Sequence, residues 1–200
     1  LGAWGLTEPG SGSDAAAMRT RAVPDRLHFV IDGSKAFITN AGVADIAVVM
    51  AVTDPALRHK GISAFILERV MTRFSVMKPF RKIELHASNT AELHFDHVRV
   101  PPSPLLGERG MGFVNTMQVL EGGRIAMAAM AVGLAQGALG EALKYMKQRS
   151  AFGKTLAEFN GLQGMIADIG TEVEAARLLT LRVAVLKDGG RPAKVAVAIA

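Results

Sequence analysis

The hydrophobic period of this chain changes once, at Pro101, Pro102 and Pro104, and that switch constrains the fold more than any other feature. Proline has a fixed φ and no backbone N–H, so such a cluster ends a strand and cannot sit inside a helix. Before it, short apolar runs alternate with turn residues. Arg19–Val23 and Leu27–Ile31 read as strands parted by Pro24 and Asp25. Asp32-Gly33 is a hairpin signal ahead of Ala36–Thr39. Ile46–Val52 and Ile62–Leu67 are continuously apolar, as strands covered on both faces are. In Thr90–Val100 the residues Ala91, Leu93 and Phe95 share one parity, and Val98 and Val100 the other. A bulge near His97 accounts for the slip.

After the prolines and a glycine-rich loop (Gly107, Gly110, Gly112), the period becomes helical, with Leu139, Leu143 and Met146 on one face. Ala128, Ala129, Ala131, Ala135 and Ala138 leave room for a second helix to approach. Another helix is expected over Gly161–Leu186, stopped by Asp188-Gly189-Gly190, with a third opening near Pro192. The fold class is therefore α+β. A barrel- or sandwich-like β-domain occupies residues 1–104, and the start of a helical bundle occupies residues 105–200. Leu1 opens into strand-like sequence without an initiator Met, and Lys194–Ala200 is helix-like without a stop signal. The chain reads as an internal piece of a longer protein.

Composition narrows the function classes. With no cysteine, a disulfide framework, a cysteine nucleophile and a thiolate metal site are excluded. A reducing compartment is compatible with that. The net charge of +5 is scattered, and its densest group, Lys78, Arg81 and Lys82, has a single aromatic neighbour in Phe80. A nucleic-acid surface needs more clustering and more aromatics, so a phosphorylated small ligand is the better match. Ile125–Leu139 is interrupted by Gln136 and followed by Glu141, which favours a buried helix over a membrane span. His94 and His97 lie three apart on a strand and so point to opposite faces, against a metal pair.

The most informative segment is Thr7-Glu8-Pro9-Gly10-Ser11-Gly12-Ser13-Asp14. Two glycines allow close backbone approach, and three hydroxyls supply polar contacts. Successive N–H groups in such a loop can form an anion nest. Read by itself, the loop is either a cradle for a phosphate or an electron-rich ring, or an ordinary Gly/Ser turn. It is neither a dinucleotide fingerprint, since Ala15 stands at the third glycine position, nor a P-loop.

In company with four further segments, this loop resembles the flavin-binding signature of the acyl-CoA dehydrogenase family. Asp32-Gly33-Ser34-Lys35-Ala36-Phe37-Ile38-Thr39-Asn40-Ala41-Gly42 resembles the family's strand G-x-K-x-[WF]-I-T-N-x-G. Thr90 through Pro101 resembles the end of its β-domain. Leu105 to Phe113 resembles the loop into its helical domain, and Arg149 to Gly153 its R-x-x-F-G turn between helices. The resemblance implies an FAD enzyme that removes an α-proton from an acyl-CoA thioester and passes a β-hydride to flavin N5. It implies that Trp4, Leu6, Thr7, Gly12 and Ser13 lie along the flavin, with Ser13 also touching the thioester ligand. Phe37, Ile38 and Thr39 form the second flavin contact, Phe37 standing where many relatives carry Trp. Arg149 and Phe152 match the contact to a neighbouring subunit's flavin; read from its position alone, Arg149 is equally a helix-end cation. Glu121 and Arg124 match the segment that contacts CoA, where the bland alternative is a solvated N-terminal turn of a helix beginning near Arg124. Implied partners are an electron-transferring flavoprotein and further copies of the chain in a homodimer or homotetramer. The implied location is the cytoplasm, or the mitochondrial matrix in a eukaryote. An oxidase-like enzyme, or a non-enzymatic relative binding flavin or nucleic acid, would share these motifs.

Departures from the pattern fall in three places. Met77 and Glu84 stand where Gly is common, and His86 where Arg is common. Asn160 replaces a Gln that usually contacts flavin. In some members the catalytic Glu immediately precedes the residue matching Arg124, but here that residue is Gly123. Glu121 lies ~200° around a helix from it and is no substitute. In most members the base lies farther along than Ala200, so no catalytic residue is expected in this chain. By itself the 200-residue chain is expected not to bleach added FAD with butyryl-CoA; turnover by the isolated chain would show that a base is present after all.

Overall fold

The computed structural model describes residues 1–191 and Ala198. It forms two compact units, Leu1–Met117 and Gln118–Ala200. The expected helix at Pro192 and the run 194–200 lie outside the described residues, apart from Ala198.

The first unit is built on one seven-stranded sheet. Its strands are β1 (Gly2–Gly5), β2 (Arg21–Asp25), β3 (His28–Thr39), β4 (Ile46–Val52), β5 (Ile62–Glu68), β6 (Phe74–Val76) and β7 (Thr90–Val100). They run in the order β1-β4-β2-β3-β7-β6, with β5 paired to β4. The centre of β4 is apolar on both faces, as the unbroken run Ala47–Ala51 predicts, and it pairs in parallel with β1 and antiparallel with β5. Phe65 on β5 is fully buried and meets Phe29 edge to face at 5.1 Å. Around it lie Ile31, Val49, Leu67, Leu93, Phe95, Val98 and Val100.

Two bulges shape the long β3–β7 ladder. Ile31 pairs with Val98 but Gly33 with Phe95, so β7 carries one extra residue there. His97 takes a φ of 55° and its N–H bonds Asp32 Oδ1 at 2.7 Å. The bulge expected near His97 is present, and the buried set changes parity across it as the apolar pattern predicts. The second bulge lies on β3. Lys35 pairs with Leu93 and Ile38 with Ala91, leaving an extra residue at Ala36–Phe37, where Phe37 has a φ of 58°.

Two sequence expectations need correction. Asp32-Gly33 is not a hairpin turn, because β3 runs straight through it. Gly33 sits at φ 140°, and a Cβ there would meet Thr20 Oγ1 at 2.6 Å, so the glycine serves close packing within the strand. The turn between β2 and β3 is Arg26-Leu27, not Pro24-Asp25, with Arg26 at φ 53°. Pro24 is tolerated inside β2 because that strand meets β4 only at Arg21.

After Val100 the chain folds back onto β5. Leu106 N–H bonds Ala64 O at 2.8 Å, Ile66 N–H bonds Pro104 O at 2.8 Å, and Gly110 N–H bonds Ser63 Oγ at 2.8 Å. Helix α1 (Gly112–Gln148) starts here, and the two units divide within it. The Glu121–Arg124 segment is therefore interior to a helix and not its first turn. Gly122 and Gly123 weaken that helix but do not end it, since each costs only about 1 kcal/mol against Ala.

In the second unit, Phe152-Gly153 turns the chain between the short strands β8 (Ser150–Ala151) and β9 (Lys154–Thr155), both residues having positive φ. Helix α2 (Asn160–Asp188) ends where Gly189 and Gly190 accept the break, the latter at φ 65°. The expected burial of Ile125–Leu139 is not met. Met127, Met130 and Leu134 are exposed, and in that stretch only Leu139 is buried. The apolar residues surround the helix, and the described residues cover only part of it, chiefly where Ile125 meets Val183 and Leu186. By length and composition α1 is long and apolar enough to cross a membrane, with an 18-residue window of mean hydropathy 1.4.

Truncating Phe65 to Ala removes the fully buried ring at the sheet's centre and is expected to destabilise the first unit by ~3–5 kcal/mol. Urea unfolding should show this as a lower midpoint with an unchanged slope.

Candidate functional site

The glycine- and hydroxyl-bearing loop follows β1 and closes on itself. Glu8 N–H bonds Ser11 O at 2.8 Å, and Ser11 N–H bonds Glu8 O at 3.2 Å. Ser11 Oγ donates to Asp14 O at 2.6 Å, leading into a single 3₁₀ turn at Ala15–Ala17. A Cβ on Gly10 or Gly12 would meet nothing within 4 Å. The glycines are thus not demanded by protein packing; they leave one side of the loop backbone open to a ligand.

Beneath the loop lies a buried ion pair. Lys35 is fully buried on β3, and its Nζ donates to Glu8 Oε1 at 2.8 Å and to Leu6 O at 3.1 Å. Glu8 accepts also from Thr20 N–H at 2.9 Å and Arg19 N–H at 2.6 Å. Burial pushes the Glu8 carboxyl up, but the Lys35 charge and the hydrogen bonds from Lys35, Thr20 and Arg19 outweigh it, so its pKa lies below the ordinary 4.5. Burial pulls the Lys35 ammonium below its ordinary value, against the opposing effect of Glu8.

Beside this loop the β3 bulge turns Phe37 outward. Phe37 is 64% exposed, and its ring stacks on Phe80 with centroids 5.0 Å apart. Thr39 is exposed at the end of the strand, and the turn after it is held by Asn89, which takes Asn40 N–H on its carbonyl and Gly42 N–H on Oδ1. The Ile38 side chain is buried in the main core, so its backbone is the part left to face a ligand. Trp4 and Leu6 are half-buried against Met18, Met50 and Ile62. Among the described residues, the hydroxyls of Thr7, Ser13 and Thr39 have no protein hydrogen-bond partner. An exposed aromatic ring, free hydroxyls and an open glycine backbone side by side form a donor set that fits a planar heteroaromatic group such as isoalloxazine.

In the second unit, Glu121 and Arg124 lie on α1, where Arg124 is exposed with no ion-pair partner among the described residues. A Cβ on Gly122 would come within 2.7 Å of Lys187 Nζ, so the glycine leaves space for that side chain. Arg149 follows α1, and its backbone N–H and carbonyl bond Tyr145 O and Leu156 N–H. Its side chain is exposed at the end of α1 and has no hydrogen-bond or ion-pair partner among the described residues. Phe152 is 97% exposed at φ 52°, its ring edge-on to Phe159. Asn160 is exposed at the start of α2, and Gln163 Nε2 is engaged by Ala157 O at 2.8 Å.

Three features were not foreseen from the sequence. The Lys35–Glu8 pair and the Phe37–Phe80 stack join residues far apart in the chain. The β7 bulge at His97 also gathers Asp32, Asp96 and His97, with His97 Nδ1 at 3.0 Å and 2.9 Å from the two carboxylates, whereas His94 takes no part. The His97 hydrogen bond holds the Asp96 carboxyl below its usual range. The lysine directly before the Ala36–Thr39 run was the available signal for the ion pair.

A seven-stranded sheet unit with an open hydroxyl-and-aromatic wall, followed by a unit of long helices, defines an α+β protein of two units. The description "Acyl-CoA dehydrogenase, middle domain" matches residues 3–98, and "Acyl-CoA dehydrogenase, C-terminal domain" matches residues 110–200. The chain belongs to the acyl-CoA dehydrogenase family. It is 48% identical over 192 residues to the short-chain specific acyl-CoA dehydrogenase of Clostridium acetobutylicum, covering 96% of this chain and 51% of that protein. It superimposes on butyryl-CoA dehydrogenase from Megasphaera elsdenii with TM-score 0.95 at 45% identity, covering 100% of this chain and 52% of that one. The structure "PigA with FAD and proline" gives TM-score 0.96 at 30% identity over 100% of this chain and 52% of its own. The chain thus spans about half the length of the relatives it matches.

The lowered Glu8 pKa has a defined pH signature. A carboxyl depressed on folding contributes stability above its unfolded value, near 4.5, and loses it as pH falls through the folded value. Glu8→Gln should flatten the acid limb of stability against pH below 4.5, while lowering stability at neutral pH because Lys35 is left buried without its partner. Denaturant melts across that range would detect both effects.

Proposed function

We propose that the protein to which this chain belongs is an FAD-dependent acyl-CoA dehydrogenase acting on short acyl chains. The observation that carries this reading is the open Leu6–Ser13 loop beside the outward-turned Phe37. Family membership and the high identity to short-chain members support it. Bound FAD supplies the hydride acceptor. Thr7, Ser13 and Thr39 offer hydroxyls to the ring and the thioester, Phe37 offers a face, and the open backbone at Gly12 lets the ligand approach. Trp4 and Leu6 back the loop from the core side, and Ile38 contributes its backbone. Arg149 and Phe152 present an exposed cation and ring to the flavin of a second subunit, which makes the assembly a homodimer or homotetramer. Arg124, with Glu121 beside it, holds the CoA portion, because an unpaired guanidinium suits phosphate and polar amide groups. The α-proton is taken by a carboxylate outside these 200 residues, since Gly123 leaves the alternative position without one.

An electron-transferring flavoprotein reoxidises the enzyme, and the setting is the cytoplasm or, in a eukaryote, the mitochondrial matrix. Helix α1 is a bundle helix covered by the rest of the protein and not a membrane span, as Glu121, Arg124, Gln136 and Glu141 along its length indicate. The scattered charge argues against a nucleic-acid role.

The full-length protein should purify yellow or take up FAD, and butyryl-CoA should bleach it without air reoxidising it quickly. Failure to bind FAD would defeat the reading, and rapid reoxidation in air would assign it to an oxidase. Arg124→Ala should raise KM for butyryl-CoA by about ten-fold or more, the effect of losing a charge-assisted contact, with bound flavin unchanged.

A further inference from the structure

We propose that the buried Lys35–Glu8 pair is the positioning element of the flavin wall, fixing Thr7 and Phe37 in one relation to each other. The inference rests on the flavin reading above and adds to it two residues that touch no ligand. Lys35 and Ala36 grip three consecutive residues of the loop. Lys35 Nζ holds Leu6 O at 3.1 Å, Ala36 N–H holds Thr7 O at 2.8 Å, and Lys35 Nζ holds Glu8 Oε1 at 2.8 Å. The next residue along β3 is Phe37, turned out by the bulge. Glu8 then anchors the loop to the segment before β2 through Arg19 and Thr20, and Thr20 Oγ1 reaches Ser34 O at 3.3 Å on β3. The circuit closes on the strand from which it started.

Stability alone does not account for such a pair. Buried ion pairs are often no more stabilising than well-packed apolar residues of similar volume. An apolar pair, however, could not hold the Leu6 carbonyl or take two backbone N–H groups from residues 19 and 20. The ammonium's several donors and the carboxylate's several acceptor sites do both, and with defined directions. What the charges contribute is geometry, at the one place where the loop and the bulged strand must be held together to form a wall.

The test uses the full-length protein with Lys35→Met, Glu8→Gln, the double variant, and Thr53→Val as a control that breaks the buried Thr53–Ser63 hydrogen bond elsewhere in the unit. The readouts are the dissociation constant of FAD from the apoprotein, the visible absorption and circular dichroism of bound flavin, and Tm. Lys35→Met and Glu8→Gln should each weaken FAD by about ten-fold or more and alter the flavin spectrum. The double variant should be no weaker than the worse single one, because both break one unit. Thr53→Val should lower Tm yet leave FAD affinity within about two-fold of wild type. Should Lys35→Met fail to fold, the double variant, which buries no unpaired charge, carries the comparison. Folded variants with wild-type affinity and spectrum would overturn the positioning role while leaving the flavin reading intact. A wild-type protein that takes up no FAD would sink both.

Discussion

The first unit depends on a contact between opposite charges out of reach of water. Without Lys35, the loop after β1 would be a glycine-rich turn attached to the sheet chiefly through Ala36 and Thr7. With it, the loop's carboxylate and a carbonyl are drawn onto the middle of β3. Desolvating a lysine and a glutamate is costly, and the cost is tolerated only where each finds its remaining partners. Both do so here: Glu8 accepts two backbone N–H groups besides Lys35, and Lys35 donates to a carbonyl. The loop is therefore fixed from beneath, and its upper side is left to glycines, hydroxyls and an exposed ring.

The two bulges of the β3–β7 ladder divide the work of that strand pair. One, at His97, shifts the phase of β7 so that Val98 and Val100 return to the core. The other, at Phe37, adds a residue to β3, so that the Phe37 ring faces out between the buried Ala36 and Ile38. Both place a non-glycine residue at positive φ. Such backbone strain persists only where the surrounding ladder holds it.

The helical unit has a different character. α1 is apolar around its circumference, yet its described neighbours cover little of it. A helix of this kind needs cover from another element, and the relatives are about twice as long as this chain. Its glycines, which cost helix propensity, are better understood as surfaces for close approach, as Gly122 is for Lys187.

Much was legible from sequence because it follows from local pattern. The unbroken runs marked β4 and β5, the parity slip in Thr90–Val100 marked a bulge, and Asp188-Gly189-Gly190 marked the end of α2. The ordered motifs pointed to the family. Local pattern misread Asp32-Gly33 and Pro24-Asp25, since both pairs have turn chemistry and only their neighbours, Thr20 against Gly33 and an unpaired edge beside Pro24, show otherwise. The ion pair, the Phe37–Phe80 stack and the burial of Ile38 were decided by tertiary structure alone. Each depends on where residues distant in sequence meet, and a pattern with a period of two or of 3.6 carries information about which face a residue occupies, but none about what stands opposite it.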